Sequence, residues 1–210
     1  MEKNHQAEIL ESMMQADFYP HLVETIERRE THISTVFLTG PFVYKIKKPV
    51  DLGFLDFTRL EKRRHYCLRE IALNRRLSHG VYIEAIPITC RDGAYALNGL
   101  GETVEVAVKM HQLADTDSML QRLKRNALDH TDIESLARLL VGFFSQTPTL
   151  DDVHLSGTPA WEANLQRVEP FVGLWIDRRQ FEFVRSAAGS FYRRHQRLFQ
   201  CRRRDGKIKD

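Results

Sequence analysis

The sequence predicts an α+β fold: an antiparallel sheet carrying one long helix, followed by a run of helices. Three observations predict it. Short β-branched or aromatic runs alternate apolar and polar residues through the first half of the chain. Gly40-Pro41 and Asp92-Gly93 punctuate these runs as turns. Beyond about Leu113 the apolar spacing becomes helical. The chain accordingly divides into a sheet-bearing lobe, residues 1–112, and a helical lobe, residues 113–210.

Taken in order, residues 7–30 read as helical. Ile9, Leu10, Met13 and Met14 recur at helical spacing, Pro20 interrupts, and "HLVETIERRE" resumes a short helix. "HISTVFLTG" and "PFVYKIKK" read as two antiparallel strands. Alternation puts Phe42, Tyr44 and Ile46 on one face of the second strand and Val43, Lys45 and Lys47 on the other. After the loop "DLGFLDFT", Thr58 is placed to cap a helix running to about Leu77, with Glu61 as capping-box partner. Leu60, Cys67, Ile71, Asn74 and Leu77 mark one stripe of it, and Gly80 stands near its C-cap. "YIEAIPITC" and "AYALNG" form a hairpin about Arg91-Asp92-Gly93. "ETVEVAVKM" adds a strand with Val104, Val106 and Val108 on one side. Helices follow in "DSMLQRLKRNAL", "DIESLARLLVGFFSQT", "TPAWEANLQRVEPFVG" and "RRQFEFVRSAAGSFYRRHQRLFQCRRR", then a turn at "GKIK" leading toward a strand. The aromatics of the last long helix, with Trp161, Phe171 and Trp175, read as core.

Composition narrows the function classes. The 210 residues are 42% hydrophobic and 28% charged, ordinary values for a globular protein. A net charge of +3 is too weak to argue for nucleic acid, and solvated helix faces account for Arg193-Arg194 and Arg202 to Arg204. Cys67, Cys90 and Cys201 stand far apart with no C-x-x-C pair, which argues against structural zinc or a disulfide framework and points to a reducing, cytoplasmic setting. The N-terminus has no apolar signal core, and no run approaches the about 18 apolar residues of a membrane span.

The lysines of "VYKIKK" carry the functional question. Strands, then a helix, then strands and a helical lobe is also the order of a kinase small lobe and the start of its large lobe. In such a lobe a strand lysine delivers a point charge to the nucleotide phosphates, and a helical glutamate keeps that ammonium extended and protonated. Lys45 fits the first role and Glu70, mid-helix in "CLREIALNRRL", the second. Val43 shares the face of Lys45 and could line a base site; Lys47 is the fallback cation. A solvated outer face explains Lys45, Lys47 and Lys48 equally well, and a surface helix pair explains Glu70. Lys109, Met110, His111 and Gln112 offer backbone groups to an adenine, or simply end an edge strand. His111 has no second ligand at metal-binding spacing.

"ETHISTVFLTGPFVYKIKKPVDLGFLDFTRLEKRRHYCLREIALNRRL" closely resembles the start of bacterial aminoglycoside-phosphotransferase-like proteins, small-molecule kinase relatives sometimes fused to a C-terminal P-loop kinase domain. "AVKMHQL" resembles their hinge; "WEANLQRVEPFVG" and "HQRLFQCRRRDGKIKD" resemble their helical insert and the approach to the catalytic loop. The resemblance runs from about Asp17 onward, and "VYKIKKPVD…GFLDF" is its most specific piece. It implies a protein-kinase-like small lobe followed by a partial helical large lobe, with ATP, accompanied by Mg²⁺, as the ligand and a small molecule as phosphoryl acceptor.

The departures are equally specific. The family's H-G-D catalytic loop, its metal-binding Asn and its metal-binding Asp would follow Asp210, and no H-x-D-x-x-x-x-N occurs in the chain. His130-Thr131-Asp132 has the His–Asp spacing, but it opens a helix where Thr131 or Asp132 caps. No G-x-x-x-x-G-K-[ST] is present, and "TGP" carries one glycine where protein kinases use G-x-G-x-x-G. No catalytic residue and no metal ligand is therefore assigned. The expectation is an ATP-binding, phosphotransferase-like chain, truncated before its catalytic loop and inactive alone. The alternative is a non-catalytic interaction module of kinase-like fold, a homodimer covering the apolar surface of its incomplete lobe.

Overall fold

The computed structural model describes residues 5–149 and 160–209. The chain forms two compact units, Met1–His130 and Thr131–Asp210. No helix of the described residues is long and apolar enough to cross a membrane.

The first unit is a mixed α+β structure about a curled six-stranded sheet. Its elements are α1 (Gln6–Ser12), β1 (Glu27–Glu30), β2 (Ser34–Leu38), β3 (Phe42–Lys47), α2 (Leu60–Asn74), β4 (Tyr82–Arg91), β5 (Ala94–Leu97), β6 (Glu102–His111) and α3 (Met119–Lys124). The strand order is β1-β2-β3-β6-β4-β5, and every pairing is antiparallel. Asp92 and Gly93 both take positive φ, 53° and 83°, the geometry of the two-residue hairpin turn expected there.

Two helices cover the two faces. On one, Ile9 and Met13 of α1, with Tyr19 and Val23 beyond it, bury against Phe37, Tyr44, Ile46, Ile86, Ile88 and Ala107. On the other, Cys67 and Ile71 of α2 bury against Val106 and Val108. The sidedness expected of β3 holds: Tyr44 and Ile46 enter the first cluster, whereas Lys45 and Lys47 turn toward α2.

In the first unit four local expectations are corrected. Residues 7–30 are not a helix. After α1 comes a 3₁₀ turn at Ala16–Phe18, the chain then runs irregularly so that Tyr19 and Val23 reach the core, and Glu27–Glu30 add an edge strand. "ERRE" pairs its charges at i,i+2 along that strand, Arg29 with Glu27 and Arg28 with Glu30, rather than at helical spacing. Charged residues also guard the exposed sheet edge against further pairing.

Thr58 does not cap α2. Its backbone N–H and its hydroxyl both donate to Asp56 Oδ1, at 2.9 and 2.6 Å, and the helix begins two residues later behind Arg59. The buried stripe of α2 is Arg63, Cys67 and Ile71, while Asn74 and Leu77 are exposed. Val104 leaves the face of Val106 and Val108, because the ladder shifts register between Ile88 and Thr89, and it packs with the α1 cluster instead.

The second unit holds most of α4 (His130–Gln146), with α5 (Ala160–Val168), α6 (Arg178–Arg194) and α7 (Gln196–Arg204). Thr158 and Pro159, expected to open α5, lie outside the described residues. The last expected helix is two, broken at His195, whose N–H and Nδ1 both meet the Phe191 carbonyl. "GKIK" ends in a single bridge, Thr149 to Lys209, rather than a strand. Of the aromatics assigned to core, Phe181 is buried and Trp161 half-buried, but Phe171, Trp175, Phe183 and Phe191 are exposed.

Candidate functional site

The site begins with the period of a strand. In β3 every second side chain faces α2, so Val43, Lys45 and Lys47 share one face. Across the ladders Val36 and Val108 flank Lys45, and Ser34 stands opposite Lys47. The period of a helix supplies the acid. Glu70 lies three residues past Cys67 and one before Ile71, at the margin of the α2 stripe that meets the sheet.

The two periods bring one carboxylate to two ammonium groups. Lys45 Nζ donates to Glu70 Oε1 at 2.9 Å, and Lys47 Nζ donates to Glu70 Oε2 at 2.8 Å. The Lys45 side chain keeps 24% of its surface exposed, Glu70 14% and Lys47 5%. The Lys47 ammonium also lies 4.9 Å from the centre of the Phe57 ring. Burial alone would raise the Glu70 pKa, but the hydrogen bonds and charges of both lysines outweigh it and hold the carboxyl below its ordinary value. The trio carries two positive charges and one negative. Beneath it, burial pushes the Cys67 thiol up to about 12.

The remaining expected site residues separate. Val43 and Met110 are cross-strand partners on the Lys45 face, and with Leu38 they form a half-buried apolar shelf beside it. Lys109 and His111 take the opposite face: the Lys109 ammonium lies 4.4 Å from the Phe42 ring centre, and the His111 ring centre 5.4 Å from it. The His111 N–H donates to Val81 O and the Gln112 N–H to Pro41 O, so both amides are already engaged within the protein. Gly40-Pro41 therefore stands at the Gln112 end of β3, away from Lys47. The turn beside the lysines is Thr31–Ser34, which has no glycine and is tied by Lys48 Nζ to the Thr31 carbonyl at 2.7 Å. His130 opens α4, so Thr131 and Asp132 fall in its first turn. Among the described residues, no group of three or more His, Cys, Asp or Glu side chains is arranged to hold a metal ion.

Two features near the site were not anticipated. Arg63 and Glu105 form a buried ion pair at 2.9 Å, beside a cavity of about 550 Å³ lined in part by Gln6, Ile9, Pro49 and Leu60. An acid set among the valines of "ETVEVAV" was the available signal. Arg29 of β1 meets Asp115 at 2.9 Å, just beyond the end of β6. A long-range pair of exposed side chains leaves no local trace in the sequence.

No protein-family model matches the chain. No solved structure matches it. Uncharacterized proteins of Mycobacterium bovis and of two strains of Mycobacterium tuberculosis are each 24% identical to it over 190 residues, 88% of this chain. Those residues make up 36% of each relative, so the chain spans about a third of the length of the curated proteins it matches.

Proposed function

We propose that the first unit is the nucleotide-binding lobe of a small-molecule phosphotransferase of protein-kinase-like fold, similar to the aminoglycoside-phosphotransferase-like proteins. The observation that carries this proposal is the 2.9 Å pair between Lys45 in β3 and Glu70 in α2. Strand, strand, strand, helix and strands in that order, with the lysine in the third strand and the acid in the helix, support it. In this reading the Lys45 ammonium meets the phosphates of ATP, Glu70 aims it, and Leu38, Val43 and Met110 receive the base. The unmatched positive charge of the trio suits a polyanionic ligand. Among the described residues, no group of three or more His, Cys, Asp or Glu is arranged to hold Mg²⁺. The proposal for these residues is ATP binding. Isothermal titration with ATP and Mg²⁺ against the parent and Lys45→Ala tests this. Weak binding lost in the variant is expected; equal affinity overturns the role of Lys45.

A second reading, a homodimeric interaction module, is favoured by one observation. In the second unit Leu174 and Trp175 expose 76% and 86% of their surface, and Phe183 and Val184 are also exposed. Light scattering after size exclusion separates the two: a monomer that binds ATP supports the first, and a dimer indifferent to ATP the second.

A further inference from the structure

Lys47 is the member of the trio that nucleotide binding does not explain. Its side chain is almost closed to solvent, between the Glu70 carboxylate and the Phe57 ring, so its ammonium cannot reach a ligand from where it lies. Only Lys45 keeps appreciable contact with solvent. The two lysines use different oxygens of the same carboxylate. That division has a consequence. In a simple lysine–glutamate pair the carboxylate cancels the charge of the one ammonium, so an incoming phosphate meets a neutral pair. Here Glu70 keeps a full positive partner on Oε2 whatever Lys45 does.

Resting on nucleotide binding by this lobe, we propose that Lys47 is a positioning residue: it holds and neutralises Glu70 through Oε2, so that Lys45 keeps Oε1 with one N–H and turns its other donors and its charge to a phosphate oxygen. Lys47 touches no part of the ligand. Its effect is on the charge that Lys45 presents to the phosphates. The groups set about Glu70 are Lys45 and Lys47 from β3, Cys67 from α2 and Tyr82 from β4.

The test uses the full chain with Lys45→Met, Lys47→Met and Lys47→Arg. ATP affinity is measured across a salt series, with melting temperatures alongside. Lys45→Met should weaken binding and flatten its salt dependence, because a phosphate contact is gone. Lys47→Met should weaken binding about tenfold with the salt dependence of the parent, and Lys47→Arg should recover part of the loss. A Lys47→Met protein that melts lower yet binds ATP like the parent overturns the proposal, and so does one whose salt dependence flattens as in Lys45→Met. Should Lys47→Met not fold, Lys47→Gln replaces it in the test: a Lys47→Gln protein that binds ATP like Lys47→Arg overturns the proposal, since charge at that point would then not matter.

A parent protein blind to ATP defeats the nucleotide reading itself. Holding of the acid is then judged separately, by ¹³C titration of the Glu70 carboxyl. Its pKa should lie below its ordinary value in the parent and rise in the Lys47 variant. No rise there refutes the role of Lys47.

Discussion

Arg63 donates through Nε to both oxygens of Glu105, at 2.9 Å each, with Glu105 wholly removed from solvent. The rest of the acid is also satisfied. Gln6 Nε2 donates to Oε2 at 2.8 Å, and the Val106 N–H donates to Oε1 at 3.0 Å. Arg63 Nη1 donates to the carbonyls of Phe57 and Thr58. One buried pair thus ties α1, the loop before α2, α2 itself and β6. Removing either partner leaves a buried charge unmatched, which costs about 3–5 kcal/mol. Arg63→Met and Glu105→Gln should each lower stability by that order in urea unfolding. The double variant should lose far less than the sum, and strict additivity would mean the pair is not coupled.

The Glu70 carboxyl predicts a pH dependence. Its folded pKa lies below its ordinary value of 4.5, so the folded state binds that proton more weakly than the unfolded state does. The stability Glu70 contributes is therefore fully present above that value and is lost as pH falls through the lower, folded pKa. Melting the parent and Glu70→Gln from pH 8 to pH 3 should show a gap that is constant near neutrality and closes in acid. A gap unchanged below pH 4 would mean that the lysines do not hold the carboxylate.

The parts of this site that could be read in advance are those governed by a short period. Two-residue alternation placed Lys45 and Lys47 together, and helical spacing turned Glu70 toward them. The sharing of Glu70 was not visible, because a solvated strand face accounts for either lysine and a surface helix pair for Glu70. Where the reading failed, a competing local interaction won. "ERRE" satisfies a helix and a strand equally by charge, and its pairing to β2 decided the matter. Thr58 was captured by Asp56. Arg63 carried no local signal, because its partner lies 42 positions away. Trp175 and Phe183 were assigned to core from their chemistry, yet aromatic character does not itself supply a surface to pack against.

Thiol chemistry offers a further check. Cys67 is buried against the Val106 carbonyl, and burial pushes its pKa up to about 12, so almost no reactive thiolate exists at pH 8. Cys90 is half-buried and Cys201 exposed. Native labelling with a disulfide reagent should modify Cys201 first and Cys90 more slowly, leaving Cys67 untouched until denaturant is added. Rapid native labelling of Cys67 would contradict the packing of α2 on β6.

Two glycines predict opposite outcomes for the same substitution. Gly101 sits at φ +118°, and a Cβ there would lie 2.3 Å from the Cys90 carbonyl oxygen, where β4 and β6 close on each other. Neither contributor can yield cheaply: the φ is one that L-residues rarely adopt, and the obstacle is backbone rather than a flexible side chain. Gly101→Ala should destabilise the protein by about 3 kcal/mol or more. Gly142 lies inside α4 with nothing among the described residues within 4 Å of its would-be Cβ. Alanine there removes backbone freedom from the unfolded chain without a clash, and should stabilise by about 1 kcal/mol. Chemical denaturation of the two variants checks both signs. A neutral Gly101→Ala would show that the β5–β6 connection does not approach Cys90, and a destabilising Gly142→Ala would show that this face of α4 is covered.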